Sequence, residues 1–141
     1  PLLPGAREVL ETLAEHYTLA IISDTGFASG DAQDCLLEQD GVRDLFAATI
    51  YSMDIGHAKP HPEMFRAALT ALGVAPEEAL HVGDIERTDI AGALGVGMRA
   101  VRLDAVRQSG PSRAERVVGS LAELTEYVLQ KTGRREDETT R

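Results

Sequence analysis

The sequence is poor in the residues that mark several classes of protein. It has one cysteine, no tryptophan and an aromatic content of 4% in 141 residues. The single cysteine, Cys35, excludes an internal disulfide framework and fits a reducing compartment, so we expect a cytoplasmic protein. There is no apolar run of about eighteen residues and no signal-peptide pattern, so we expect no membrane partner.

Positive charge is also scarce. The chain has 14 Lys and Arg against 23 Asp and Glu, which gives a formal net charge of −9. Proteins that bind nucleic acids contact the phosphates through Lys and Arg, so this balance argues against a nucleic-acid partner. An acidic chain can still bind a single phosphate where a lysine, a helix N-terminus or a metal ion supplies a local positive field.

Short apolar runs alternate with helical patterns along the chain. The runs predicted as strands cover residues 18–23, 47–53, 79–83 and 98–103. Between them, positions such as Met64, Phe65 and Leu69 trace one face of a helix. This alternation predicts an α/β fold, a doubly wound, Rossmann-like parallel sheet with helices on both faces. We expect one domain over residues 1–132 and a charged, disordered tail over residues 133–141.

Polar side chains follow three of the four predicted strands. Ser23 ends the first strand, Lys59 follows the second, and Asp84 and Asp89 follow the third. The carboxyl ends of parallel strands meet at one edge of a sheet, where such folds bind ligands. Carboxylates there suit a hard cation such as Mg²⁺, and a hydroxyl and an ammonium suit the oxygens of a phosphoryl group. The order and spacing of these residues therefore predict phosphate chemistry.

Each of these residues also has a structural interpretation. Asp84 and Asp89 could offset the dipole of the helix that follows, Ser23 could serve as a turn hydroxyl, and Lys59 could be a solvated surface residue. For Asp89 the two interpretations are equally supported, whereas Asp84 follows a glycine at a buried strand end, which favours function. His81, inside a strand, is interpreted as a core residue. The prediction depends on the set rather than on any one member.

Three stretches of the sequence carry a family resemblance. They are TLAIISDTG, GHAKPHPEMF and HVGDIERTDIAGALGVGMRAV, each at or after a predicted strand and in this order. Together they resemble the second, third and fourth motifs of the haloacid dehalogenase-like superfamily of hydrolases. The closest likeness is to its capped phosphatases of the phosphoglycolate-phosphatase type. The likeness extends from PLLPGAREVLETL to SLAELTEYV, nearly the whole chain.

The resemblance implies a role for each residue. Ser23 would donate a hydrogen bond to a phosphoryl oxygen, and Lys59 would hold a covalent aspartyl-phosphate intermediate. Asp84 would bind Mg²⁺ directly, with Asp89 supporting the site through water or through Lys59. The resemblance thus implies a Mg²⁺-dependent phosphatase that acts on a small phosphorylated metabolite.

The loop after Ser23 and the region before it depart from the family pattern. The resemblance implies that backbone amides at Asp24 and Thr25 cradle the phosphate, although the family often has Asn where this chain has Asp24. The family's first motif, DxDx(T/V), supplies the nucleophile and the general acid, and no such stretch precedes Ser23. We therefore expect this chain to be inactive alone.

The absent first strand would lie centrally in the family's sheet, between the strands that end at Ser23 and Gly83. Unpaired strand edges are costly and prone to association. We expect the gap to be filled by an upstream segment, by a second chain, or by direct pairing of the two neighbouring strands.

Three other functions compete with a phosphatase. A truncated or degenerate chain acting as a binding module is supported by the absent nucleophile. A haloacid dehalogenase is disfavoured, because those relatives need no metal and usually have a different fourth motif. A receiver-type signalling domain also joins aspartates to a lysine, but there the lysine follows the acidic positions, whereas Lys59 precedes Asp84.

Overall fold

Helices and strands alternate along the chain, as the apolar runs predict. The structure is a computed structural model that describes residues 2–106 and 110–139, with side chains through residue 132. The strands are β1 (Leu19–Ser23), β2 (Phe46–Tyr51), β3 (Leu80–Gly83), β4 (Arg99–Leu103) and β5 (Arg116–Val118). The helices are α1 (Ala6–Ala14), α2 (Gly30–Gln39), α3 (Ser52–Ile55), α4 (Pro62–Leu72), α5 (Ala91–Gly95) and α6 (Leu121–Thr139). Two 3₁₀ turns cover Arg43–Leu45 and Pro76–Glu78, and a π-helical turn covers Glu86–Ile90.

Two parts of the C-terminal region differ from the sequence prediction. Strand β5 was not predicted, because only Val118 of its three residues is buried and so short a segment shows no periodicity. Helix α6 continues through Thr139, so residues 133–139 are helical where a disordered tail was predicted. Arg and Glu, which dominate that segment, favour helix formation. Residues 140 and 141 lie outside the described part of the chain. Among the described residues, no helix is both long and apolar enough to cross a membrane.

The strands form two separate parallel sheets. β1 pairs with β2, with Ile22 opposite Ile50. β4 lies between β3 and β5, with Val101 opposite Val82. Within the described residues β1 and β3 form no ladder, so direct pairing of these two strands is not how the gap is filled. The parallel α/β fold is confirmed, and the break in strand order falls where the sequence predicted an absent strand.

Helices cover both faces of the strands. On one face, α4 and α5 enclose a core that includes Phe65, Ile90 and Ala100, with Ile22 and Ile50 packed against it. This α4 core therefore contacts strands of both sheets. On the opposite face, successive residues of β4 point the other way, and Val101 packs with residues of α6. This second group, the α6 core, contains Val101, Val118, Leu124 and Val128, with Leu13 of α1 against it.

Helix α4 fixes the position of the loop that carries Lys59. The helix begins at Pro62, where the missing N–H costs nothing, and the ring Nδ1 of His61 accepts a hydrogen bond from the amide of Glu63. It ends at Gly73, which adopts a left-handed conformation with φ 65°. The loop just before α4 contains a cis peptide bond between Lys59 and Pro60. The buried face of α4 thereby anchors the Lys59 loop to the α4 core.

Candidate active site

An ion pair between Lys59 and Asp89 joins two of the predicted site residues. The Lys59 Nζ lies 2.7 Å from Asp89 Oδ1, and the two side chains are 14% and 4% exposed. Lys59 belongs to the loop after β2, and Asp89 to the π-helical turn after β3. The contact therefore spans the break between the two sheets. The supporting role that the family resemblance implies for Asp89 stays a prediction.

Both carboxylate oxygens of Asp89 accept hydrogen bonds from within the protein. Its Oδ1 also accepts from His81 Nε2 at 3.2 Å, and its Oδ2 accepts from the amides of Asp84 and Ile85 at 3.2 and 3.1 Å. Burial alone would raise the pKa of Asp89, but the hydrogen bonds from His81 and Lys59 outweigh it and hold that pKa well below its usual range. Asp89 is thus an ionised, buried counter-ion of Lys59.

Gly83 gives Asp89 the space that it occupies. A Cβ at position 83 would lie 2.3 Å from both Cβ and Cγ of Asp89, far inside van der Waals contact. The end of β3 and the π-helical turn therefore approach each other more closely than any side chain at position 83 permits. Close packing therefore explains why Gly83 precedes Asp84 and Asp89 in the sequence, in addition to the chemical explanation.

The loop after β1 meets the Lys59 loop through Asp24. Its Oδ1 accepts a hydrogen bond of 3.0 Å from the backbone amide of Lys59. Asp24 thus holds the backbone of Lys59, while Asp89 holds its ammonium. Ser23, the last residue of β1, lies directly before this contact. The structure therefore brings the ends of β1, β2 and β3 together through Asp24, Lys59 and Asp89.

Thr25 differs in part from its predicted role. Its amide donates to Ser52 Oγ at 2.9 Å, so that N–H is engaged within the protein rather than turned toward a ligand. Its own hydroxyl oxygen is buried and, among the described residues, has no hydrogen-bond partner. This hydroxyl, two residues after β1, therefore keeps an unused hydrogen-bond donor.

Asp84 is the exposed member of the acidic pair. It lies directly after β3, and its backbone is held by Asp89 while its side chain is exposed to solvent. In the described ranges, no three His, Cys, Asp or Glu side chains converge as a metal site would require. A carboxylate oxygen is the ligand type that Mg²⁺ prefers. The exposure and the chemistry of Asp84 therefore fit one ligand of such an ion.

Two residues of the site were missed by the sequence analysis. His81 was interpreted as a core residue. It is buried, with its ring edge-on to Phe65 at 5.2 Å, but it also donates to Asp89. Ser52 carried no signal, because its contact with Thr25 joins segments 27 residues apart. For His81 a signal existed, since an inward-facing polar residue two positions before Gly83 needs a buried partner.

Two curated relatives share much of the sequence. A phosphoserine phosphatase of Thermus thermophilus is 37% identical over 127 residues, which cover 88% of this chain and 50% of that protein. A glyceraldehyde 3-phosphate phosphatase of Pyrococcus abyssi is 44% identical over 100 residues, which cover 70% of this chain and 41% of that protein. The chain thus spans about half the length of the curated relatives it matches.

Solved structures with this fold include both phosphatases and dehalogenases. A HAD phosphatase from Thermococcus onnurineus superimposes with a TM-score of 0.81 at 31% identity, covering 90% of this chain and 58% of the other. A 2-haloacid dehalogenase from Pseudomonas syringae gives 0.78 at 30% identity, with coverage of 92% and 54%. A HAD-hydrolase from Bacillus subtilis, solved with magnesium bound, gives 0.80 with coverage of 89% and 55%; at 22% identity it shows the fold alone.

The family itself is shown by the sequence match. The family's sequence model covers residues 1–97, more than half of the chain, and this range includes every site residue described above. The protein belongs to the haloacid dehalogenase-like hydrolase family.

Proposed function

We propose that this chain is part of a Mg²⁺-dependent phosphatase that hydrolyses a small phosphomonoester through an aspartyl-phosphate intermediate. The observation that carries the proposal is the buried Lys59–Asp89 pair at the strand edge where Ser23 and Asp84 also lie. A cation held by a buried carboxylate and placed beside a strand-end hydroxyl suits a phosphoryl group. The two curated phosphatases described above also favour phosphate chemistry.

The chain's own residues would bind and neutralise the phosphoryl group. Lys59 offers an ammonium whose position is fixed by Asp89, so little reorganisation is needed when negative charge develops nearby. Ser23 would donate its hydroxyl to a phosphoryl oxygen, and Asp24 would keep the Lys59 loop in place. Thr25 would contribute its orphaned hydroxyl. Mg²⁺, held in part by Asp84, would supply further stabilisation of negative charge on the phosphoryl oxygens.

The nucleophile would enter on a strand between β1 and β3. Among the described residues, β1 pairs only with β2 and β3 pairs only with β4, each in parallel, so each strand has one unpaired edge. A third parallel strand from an upstream segment, or from a second chain, would satisfy these edges and end beside Lys59. Of these two sources we favour an upstream segment, since the relatives are about twice as long as this chain.

The substrate would be a small phosphorylated metabolite. The two curated relatives are named for phosphoserine and for glyceraldehyde 3-phosphate, which are both small phosphomonoesters but differ in the rest of the molecule. The shared phosphate is what Ser23 and Lys59 would recognise. The cytoplasmic location expected from the single cysteine stays a prediction.

The test uses the native polypeptide with a generic aryl phosphate and a Mg²⁺ titration. Asp84→Asn is expected to abolish Mg²⁺-dependent turnover while the protein still folds. Asp44→Asn, at an exposed aspartate in a turn remote from the site, is the matched control and should leave turnover unchanged. Unchanged activity in Asp84→Asn would refute the metal role.

An activity assay of the 141-residue chain alone distinguishes the phosphatase hypothesis from that of a non-catalytic binding module. We expect it to show no turnover, with activity restored when the native upstream sequence is present. A native polypeptide that folds but shows no turnover on a panel of small phosphomonoesters would favour the binding module.

A dehalogenase is the second candidate, because a solved dehalogenase superimposes at 30% identity. Release of halide from a 2-haloacid without added metal would favour it. The exposed Asp84 beside the buried Lys59–Asp89 pair favours the phosphatase, since a dehalogenase needs no metal ligand there.

A further inference from the structure

The π-helical turn that follows Asp84 is held by a second set of contacts, centred on Glu86. This residue opens the turn Glu86–Ile90, which contains Asp89 and begins two residues after Asp84. Its side chain contacts the segment after β4. We propose that Glu86 is a positioning residue that fixes the backbone carrying Asp84 from the side opposite to Asp89. The expected effect of Glu86 on metal affinity rests on the proposed function. Its effect on the backbone of the turn does not.

The carboxylate of Glu86 accepts three hydrogen bonds from the segment after β4 and from β4 itself. Ser112 Oγ and the amide of Arg113 each lie 2.7 Å from one of its oxygens. Arg102 Nη1 lies 3.1 Å from Oε2. These three donors hold the Glu86 side chain against β4 and the segment that follows it.

Arg102 connects this contact to the body of the sheet. It lies on β4, and its side chain is only 8% exposed, although arginine is rarely buried. Its Nη2 donates to the carbonyl of Gly110 at 3.1 Å and lies 3.7 Å from Asp104. The guanidinium therefore ties together the π-helical turn, strand β4 and the segment 110–113.

The two sides of the turn are held by different carboxylates. Asp89 binds the amides of Asp84 and Ile85 from inside, and Glu86 binds Ser112 and Arg113 from outside. Asp84 itself precedes both residues in the chain and is exposed. A metal ligand on a short turn needs its backbone fixed from more than one direction, because residues behind a ligand set its orientation and its affinity for the ion.

The chain supplies a matched control for this contact. Arg99 and Glu115 form a comparable pair, with Nε and Nη2 of Arg99 at 2.7 and 2.8 Å from the two carboxylate oxygens. Arg99 lies at the opposite end of β4 from Arg102, away from Asp84. A substitution at Glu115 therefore breaks a similar ion pair in the same sheet without touching the turn.

The experiment compares Glu86→Gln with Glu115→Gln in the native polypeptide. Hydrogen exchange of the segment 84–90 is followed without metal, and Mn²⁺ binding is measured by electron paramagnetic resonance. For Glu86→Gln we expect exchange in that segment to become about tenfold faster and Mn²⁺ affinity to fall about tenfold. Glu115→Gln should change neither, whatever its effect on global stability.

Two results would overturn the inference. Unchanged exchange over 84–90 in Glu86→Gln would show that Glu86 does not hold the turn. Faster exchange with unchanged Mn²⁺ affinity would leave Glu86 a structural residue only. If Glu86→Gln fails to fold, Ser112→Ala, which removes one of the three bonds, is expected to give a smaller change in the same direction. A wild-type polypeptide that does not bind Mn²⁺ would count against the proposed function, and the exchange data would still decide whether Glu86 fixes the turn.

Discussion

The two sheets of this protein are built alike but are buried to different degrees. In β4, which has a strand on each side, the three central residues are all buried. In β1, which has a strand on one side only, all five residues are half-buried, although their apolar sequence predicts a fully buried strand. Both strands have helices packed against them. The difference shows that lateral pairing, as well as helix cover, is needed to bury a strand of a parallel sheet.

Within the described residues, side chains rather than a strand join the two sheets. The α4 core touches both, through Ile22 and Ile50 on one side and Ala100 on the other. At the strand ends, the pair between Lys59 and Asp89 crosses the break. The candidate site therefore lies where the sheets are joined by side chains instead of by a strand, and each prediction below breaks one sheet or the join between them.

The largest effect is expected from Lys59→Met, which removes the cation across the break. Asp89 would be left as an uncompensated buried charge, at a cost of about 4 kcal/mol in the free energy of unfolding. Lys131→Met is the matched control, because Lys131 is exposed on α6 and lies over the ring of Tyr127 rather than beside a buried carboxylate. Urea denaturation of both variants measures the difference. Equal losses in the two would show that the pair does not join the sheets.

Two isoleucine-to-alanine substitutions measure the unequal burial directly. Ile90 is fully buried behind the three-stranded sheet. Its truncation to alanine should lower the free energy of unfolding by about 3 kcal/mol. Ile22 of β1 is only partly buried, so its truncation should cost about 1 kcal/mol in this chain. If a strand fills the break in the native polypeptide, the cost at Ile22 should rise toward that at Ile90. A cost at Ile22 that is the same in both contexts would contradict a strand in the break.

Gly83→Ala tests the close approach in the three-stranded sheet. The new methyl group would displace the Asp89 side chain, and overpacking of this kind costs about 2 kcal/mol. Gly95→Ala is the control, since a Cβ there meets nothing within 4 Å and alanine favours the helix. The midpoint temperature of thermal unfolding should therefore fall for Gly83→Ala and not for Gly95→Ala. A neutral Gly83→Ala would mean that the turn yields easily.

The stability of the protein is also expected to depend on pH. Because the folded pKa of Asp89 is depressed, its stabilisation is fully present above the unfolded value of about 4 and is lost as pH falls toward the folded value. Below about pH 4 this one group should reduce the free energy of unfolding by about 1.4 kcal/mol per pH unit. The decrease should be steeper in the wild type than in Asp89→Asn. Parallel curves would show that Asp89 is not the group responsible.

The sequence predicts the strand ends well and the contacts between loops poorly. Ser23, Lys59 and Asp84 could be placed at one edge because apolar periodicity locates the strands before them. The contacts of Ser52 with Thr25 and of Glu86 with Ser112 join segments far apart in the chain, and no local pattern encodes them. The π-helical turn was not predicted either, because its hydrogen bonds depend on the fit of Asp89 against Gly83.

The break in strand order also bears on how the chain folds. Each ladder pairs strands that are consecutive in the sequence, so either sheet can form without the other. The molecule is then expected to contain two cooperative folding units, which native-state hydrogen exchange would resolve as two groups of amides with different opening free energies. A strand that enters the break would merge them into one unit, so that completing the site and completing the fold become a single event.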